Sequence, residues 1–242
     1  MKSTVVAIAA SLLVLGQTAP DPAAILAATR DALGGEKKLS AVKTIVATGR
    51  TQQVRGNNLV PIEFEIDIEL PDKYVRRDEI PAQESGPSTA GFSGEALIQT
   101  KAPAVKQDFA RLMLGMFGAS FAGYPLTFTY VGQAEAPQGR ADVLEVKGDA
   151  KGVPSVTMRL FIAQNTHLPI MISWQAPAPP ARAGQPPAPP QESRIYFADY
   201  RDVDGMTWPF RLRRALGADT VEETTFDRFK VNGRVDPKKF QP

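Results

Sequence analysis

The sequence contains no cysteine and only one histidine, His167. Without cysteine the chain cannot form disulfides, thiolate zinc sites, iron–sulfur clusters or a cysteine nucleophile. His167 lies in a predicted turn before Pro169 and has no second imidazole with which to share a metal, so a surface position is favoured over a catalytic role. Glycine-rich phosphate loops and the serine-hydrolase nucleophile motif are also missing. These absences favour a binding protein without cofactor or metal over an enzyme.

An excess of charge of one sign is also lacking. Lys and Arg number 28 and Asp and Glu number 26 among 242 residues, and the two signs are interleaved along the chain. Nucleic-acid binding requires a concentrated basic surface, which this pattern does not predict. The hydrophobic fraction of 43% is ordinary for one globular domain. We therefore expect no nucleic-acid partner.

A long hydrophobic run occurs only at the N-terminus. Lys2 is followed by an apolar stretch from about Val5 to Leu15, which is typical of a secretory signal peptide and short for a membrane span. An uncleaved anchor is the less favoured alternative. We expect a signal peptide at residues 1–19 and a single soluble domain at residues 20–242, exported to the periplasm.

Strict alternation of apolar and acidic residues marks one strand, at residues 59–70. Successive side chains of a strand point to opposite faces. One face carries Ile62, Phe64, Ile66 and Ile68, and the other carries Glu63, Glu65, Asp67 and Glu69. Four equivalent acids offer no acid–base pair, so we expect a solvated face with Arg76, Arg77 or Arg159 as cross-strand partners. The apolar face covers either a closed core or a cavity.

The rest of the chain is predicted to consist mainly of strands. A helix capped by Asp21 precedes them and ends at Gly34 and Gly35. Residues 81–95 are expected to form a loop. Strands are predicted at about residues 42–55, 126–133, 142–149, 155–163, 168–174, 194–201, 207–215 and 220–229. Consecutive hairpins of this kind close into a strongly curved sheet or a barrel.

At residues 103–121 the spacing between apolar residues changes to three and four positions, which predicts a helix with one apolar face. Gly115 and Gly118 weaken this helix, so we expect a movable lid. Its methionines suit repacking around variable ligands, although an ordinary filled core accounts for the same spacing. The apolar positions are Val105, Phe109, Leu112, Met113, Met116 and Phe117.

Residues 175–191 are rich in proline, which has no backbone N–H to donate to a neighbouring strand and favours an extended conformation. The segment is predicted to project as a loop between two strands. A disordered hairpin tip is the favoured interpretation, and a tether for a partner is the alternative.

Several stretches together resemble the periplasmic outer-membrane lipoprotein carrier (lipoprotein-sorting) superfamily. The resemblance covers residues 22–242 and rests on patterns of strands and turns. The segments that match best are "PDKYVRR", with Pro71, Tyr74 and Arg76, and "DPKKFQP", with Asp236 and Phe240. It implies a mainly β (α+β) fold, an incomplete antiparallel β-barrel covered by helices, with a hydrophobic cavity for acyl chains.

The resemblance implies a carrier or chaperone in envelope lipid or lipoprotein trafficking, with lipid or lipoprotein acyl chains as ligands and envelope membrane complexes as further partners. The alternative is a non-catalytic structural or interaction module of an envelope complex. As the cavity lining we expect Ile62, Phe64, Ile66, Ile68, Phe109, Leu112, Met113, Met116, Phe117, Val156, Met158, Leu160 and Ile162.

Overall fold

One antiparallel sheet of twelve strands forms most of this protein in a computed structural model. The structure describes residues 20–81, 83, 86–100, 104–120, 125–136, 139–150, 153–176 and 189–241. The predicted signal peptide at residues 1–19, and most of the proline-rich segment at 175–191, lie outside the described residues.

Two helices precede the sheet, α1 (Pro22–Ala32) and α2 (Glu36–Ser40). As predicted, Asp21 caps α1 by accepting a hydrogen bond from the backbone N–H of Ala23, at 3.0 Å. The end of α1 meets the sheet, because the backbone N–H of Thr207 donates to the carbonyl of Leu33 at 2.9 Å.

The strands follow in chain order, with one long helix inserted after the fifth. The first five are β1 (Thr44–Arg55), β2 (Asn58–Glu69), β3 (Lys73–Glu79), β4 (Ser88–Ser93) and β5 (Ala96–Ile98), followed by α3 (Ala104–Phe117). The others are β6 (Leu126–Ala136), β7 (Gly139–Ala150), β8 (Val153–Ala163), β9 (Pro169–Ala176), β10 (Gln191–Val203), β11 (Met206–Leu216) and β12 (Asp219–Val231). A 3₁₀ turn at Pro237–Phe240 closes the chain.

The spatial order of the strands is β5-β4-β3-β2-β1-β12-β11-β10-β9-β8-β7-β6, so β5 and β6 are the edges and the sheet does not close. Helix α3 contacts β4 near one edge and both β8 and β9 near the other. In a flat sheet β4 and β9 would lie about 34 Å apart, several times a helix radius. The sheet must therefore curve around α3, and the predicted incomplete barrel is confirmed.

The alternation predicted for β2 is confirmed on its apolar side. Ile62, Phe64, Ile66 and Ile68 are all buried, with at most 5% of each residue exposed. They lie on the face of the sheet that curves around α3, which we call the inner face. Phe64, Ile66 and Ile68 join residues of α3 and of most other strands in one continuous core.

Three expectations about individual segments are wrong. Residues 88–93, expected within a loop, form β4, where Gly91 weakened the sequence signal. Asp67, expected in solvent, is buried because the C-terminal segment crosses the outer face of β2. Of the arginines expected as cross-strand partners of the acids, Arg77 does lie opposite Glu65. Arg76 does not, because it lies opposite Ile66 on the inner face. Arg159 instead lies opposite Glu145 of β7.

The C-terminal segment, residues 232–241, is held on the outer face. The Phe240 ring is buried against Val75 and Ile98, with Val235 packed beside them. The carboxylate of Asp236 accepts a hydrogen bond from the backbone N–H of Lys238 at 3.0 Å and so caps the 3₁₀ turn. The tail thus covers the first strands on the side away from α3.

Candidate ligand-binding site

Ten of the thirteen predicted cavity residues belong to one buried cluster between the inner face and α3. Ile62 is buried outside this cluster, Leu112 is half-buried against it, and the side chain of Val156 lies outside the described residues. The ten are Phe64, Ile66, Ile68, Phe109, Met113, Met116, Phe117, Met158, Leu160 and Ile162.

Aromatic side chains near the middle and at the C-terminal end of α3 anchor the helix. The Phe109 ring lies 5.5 Å from the Tyr74 ring and 5.2 Å from the Phe92 ring, measured between centroids. At the other end, the Phe117 ring lies 5.6 Å from the Trp208 indole. Pairs in this range contribute about 0.5–1.5 kcal/mol beyond area burial. The covering helix is therefore seated closely in this conformation.

Gly115 in α3 and Gly118 just after it have structural roles that the sequence analysis missed. A Cβ added at Gly115 would lie 2.2 Å from the ring of Phe197, so glycine is what lets α3 approach β10 this closely. Gly118 has a φ of +57° and follows the last turn, where its N–H donates to the carbonyl of Leu114 at 2.9 Å. It therefore ends the helix.

A small cavity remains between α3 and the sheet. Its volume is about 40 Å³, well below the roughly 150 Å³ of a protein cavity that can take up a benzene molecule. Leu112 faces it from α3, and Ile66, Leu212 and Phe226 face it from the sheet. The apolar inner face is thus almost completely covered, and any larger apolar ligand would have to displace α3.

One side of the cavity is polar, which the sequence analysis did not anticipate. On β3 the Nε of Arg76 donates to Asp78 at 2.7 Å, and its Nη2 donates to the hydroxyl of Thr51 at 3.2 Å. The Thr51 hydroxyl lies 2.9 Å from that of Thr224, and both threonines are buried. Three strands thus join their polar side chains beside the apolar cluster.

Burial alone lowers the pKa of Arg76, but the surrounding Tyr74 and Asp78 oxygens raise the pKa above its ordinary value. Burial raises the pKa of Tyr74 to about 12. The guanidinium also lies over the Phe64 ring, 4.6 Å from its centroid. Arg76 is therefore a cation held in place between an apolar ring and an acid.

The polar network continues to α3. Arg214 of β11 lies 3.3 Å from Glu222 of β12 and 3.4 Å from Asp108 of the helix. Asp108 also lies 3.0 Å from Arg111, whose guanidinium stacks 3.9 Å above the Trp174 ring. Charged side chains of the covering helix therefore contact β11 through Arg214 and β9 through Trp174.

A signal for this network is present in the sequence, at the alternate positions Tyr74, Arg76 and Asp78 of one strand. The same alternation that assigns Ile66 to the inner face assigns Arg76 to it once the β2–β3 register is known. The sequence alone does not specify that register. Arg214, Glu222 and Asp108 meet only through the arrangement of distant strands.

In the described part of the chain, no group of three or more His, Asp or Glu side chains is arranged to hold a metal ion. Among the same residues, no helix is both long and apolar enough to cross a bilayer.

Solved structures with this fold were found by comparison. A domain described as an outer membrane lipoprotein-sorting protein domain, from Vibrio parahaemolyticus, has a TM-score of 0.54 and 11% identity over 91% of this chain and 97% of its own. A LolA superfamily protein from Nitrosomonas europaea has a TM-score of 0.55 and 12% identity over 90% of this chain and 96% of its own. These similarities confirm the lipoprotein-carrier-like fold expected from the sequence.

A DUF1329 family protein from Desulfovibrio piger shares the same architecture, with a TM-score of 0.55 and 8% identity over 92% of this chain and 98% of its own. At identities this low the likeness concerns the fold alone. No family model matches the sequence, and no curated protein matches it.

Proposed function

We propose that this protein holds acyl chains of a lipid or lipoprotein against the inner face of its sheet, beneath α3, as a carrier or chaperone exported to the periplasm. The observation that carries this proposal is a continuous apolar inner face covered by α3, a helix of 14 residues, together with residues of α1 and α2, with a small cavity left beside Leu112. The lipoprotein-sorting fold supports the same class of ligand.

Helix α3 is suited to move as a unit. It contacts the sheet through side chains, and the Nη1 of Arg30 in α1 donates to the carbonyl of Phe117 at 2.8 Å. Lifting the helix exposes Phe109, Met113 and Met116, whose apolar surface then has to be covered again. An acyl chain can cover this surface, and each CH₂ group that it buries stabilises the complex by about 0.8 kcal/mol. The flexible thioethers of the methionines suit chains of different shape.

Native mass spectrometry of the protein purified from its own envelope tests the proposal. We expect a bound species heavier than the protein by the mass of one lipid. Leu212→Trp enlarges a buried side chain of the inner face that stays in place when α3 lifts, and it should reduce this species, whereas Leu59→Trp changes a side chain that is 65% exposed on β2 and should leave it intact. Absence of lipid from the natural protein, together with no binding of added acyl ligands, would show a filled core and favour the interaction module.

A further inference from the structure

The guanidinium of Arg214 is only partly engaged. Its Nε lies 3.3 Å from Oε1 of Glu222, and its Nη1 lies 3.4 Å from Oδ1 of Asp108. Charge-assisted bonds between a guanidinium and a carboxylate are ordinarily about 2.7–2.9 Å long. Neither carboxylate approaches closely, and each meets a different nitrogen of the planar fork. Arg214 can therefore bind an oxyanion better than it binds either present partner.

One of the two partners belongs to the helix that covers the site. Asp108 lies closer to Arg111, its neighbour on α3, at 3.0 Å, than to Arg214, at 3.4 Å. If α3 moves away, Asp108 and Arg111 leave as a neutral pair. Arg214 then loses a carboxylate at the edge of the cavity. A position previously held by a negative group becomes free next to the apolar inner face.

The cavity itself is amphipathic. Apolar side chains line it together with two cations, Arg76 and Arg214, and two acids, Asp108 and Glu222, of which Asp108 belongs to α3. The acid beside Arg76 is already bound at 2.7 Å, so it offers little to a cationic head group. The arrangement suits a ligand with an apolar chain and a negative end.

We propose that the acyl ligand carries an oxyanion, a carboxylate or a phosphate, which Arg214 binds in the place that Asp108 occupies when α3 is closed. This inference rests on the proposed function, and it adds the chemical class of the head group. Asp108 acts as an internal competitor that occupies Arg214 when no ligand is present. Arg76, 22% exposed at its side chain, borders the same position.

Three ligands with chains of the same length distinguish the effect of the head group on affinity from that of the apolar chain. They are hexadecanoate, hexadecyl phosphate and methyl hexadecanoate. Each is titrated against the full protein in competition with a fluorescent acyl probe. We expect the natural protein to bind at least one anion about tenfold more tightly than the ester, the ratio that one charge-assisted hydrogen bond supplies. The carboxylate and phosphate arms identify which oxyanion is preferred.

Single substitutions test whether Arg214 causes the preference for anions over the ester. Arg214→Gln should abolish the preference for the anion and leave binding of the ester unchanged. Arg213→Gln is the matched control, because Arg213 directly precedes Arg214 on β11 and so points to the opposite face, where it stacks on Tyr196. Asp108→Asn removes the competing carboxylate and should tighten binding of the anion. If Arg214→Gln does not fold, Arg214→Met, which keeps an apolar stem without the charge, should likewise lose the preference, and a preference that persists in it overturns the assignment.

The outcomes distinguish this inference from the function on which it rests. If neither the anions nor the ester bind, the proposed function fails. If the ester binds as tightly as both anions, or if the preference survives in Arg214→Gln, the anionic head group is wrong while acyl binding stands. Unchanged anion affinity in Asp108→Asn would overturn the role of Asp108 as competitor.

Discussion

The Nζ of Lys239, three residues before Pro242, lies 2.7 Å from Oδ2 of Asp67 in β2. The Asp67 side chain is only 4% exposed, and its Oδ1 lies without a hydrogen-bond partner among the described residues. The same ammonium lies 2.7 Å from the half-exposed Glu65. A cation from the chain end therefore compensates a carboxylate that β2 buries, and it ties the C-terminal segment to the outer face.

Replacing Lys239 by methionine should destabilise the protein by about 1–2 kcal/mol. The change leaves Asp67 buried without its cation, which is the costly way to break an ion pair, although the exposure of Lys239 limits the effect. Chemical denaturation measures the free energy of unfolding. Lys238→Met is the control, because the Lys238 side chain is exposed next to the same tail. Equal stability of the two variants would show that the ion pair contributes nothing.

Asp67 should make stability fall with increasing pH over a defined window. Burial raises the pKa of Asp67 above its ordinary value of 3.8, although the hydrogen bond from Lys239 opposes the shift. Between 3.8 and the raised pKa, the folded state binds more protons than the unfolded state, so the contribution of this carboxyl group falls as the pH rises. Relative to Asp67→Asn, the natural protein should lose stability across this window.

Glu65, which binds the same ammonium, should change the stability with the opposite dependence on pH. The hydrogen bond from Lys239 lowers the pKa of Glu65 below its ordinary value of 4.5, against a smaller effect of burial. Its contribution is present above 4.5 and is lost as the pH falls through the lowered pKa. Unfolding free energies measured from acidic to neutral pH should therefore diverge in opposite directions for Asp67→Asn and Glu65→Gln. Parallel curves would contradict the assignment.

Gly115→Ala should destabilise the protein by about 1–3 kcal/mol, the usual cost of overpacking a core. Alanine is favoured over glycine in a helix by about 1 kcal/mol, so a propensity argument predicts the opposite sign. The Cβ would lie within 2.2 Å of the Phe197 ring, and we expect this clash to dominate. Gly86→Ala is the control, since nothing lies within 4 Å of its added Cβ. A stabilised Gly115→Ala protein would show that α3 shifts freely.

Movement of α3 without unfolding of the sheet can be measured with single cysteines, because the chain contains none of its own. Met116 in α3 is 1% exposed and Ile172 in β9 is fully buried. Met116→Cys should react with an alkylating reagent much faster than Ile172→Cys, because local opening requires less free energy than global unfolding. Equal rates for the two variants would mean that α3 separates from the sheet only when the whole protein unfolds.

Much of the fold could be predicted because its signals are local. The alternation of Ile62 to Ile68 with acids fixes which side of β2 is apolar, since neighbouring side chains of a strand must point in opposite directions. The spacing of Phe109, Met113 and Phe117 likewise fixes the apolar side of α3. The hairpins between consecutive strands require only short-range turn chemistry, so the curved antiparallel sheet could be expected from the sequence.

What the tertiary structure decided depends on residues far apart in the chain. Nothing local distinguishes Asp67 from Glu63, yet one is buried because a tail about 170 residues later crosses over it. Gly115 resembles a weak point of a helix until Phe197 is placed against it. The meeting of Arg214 with Asp108 requires a strand and a helix 106 residues apart. Local sequence sets which way a side chain points, and only the long-range packing sets what it meets.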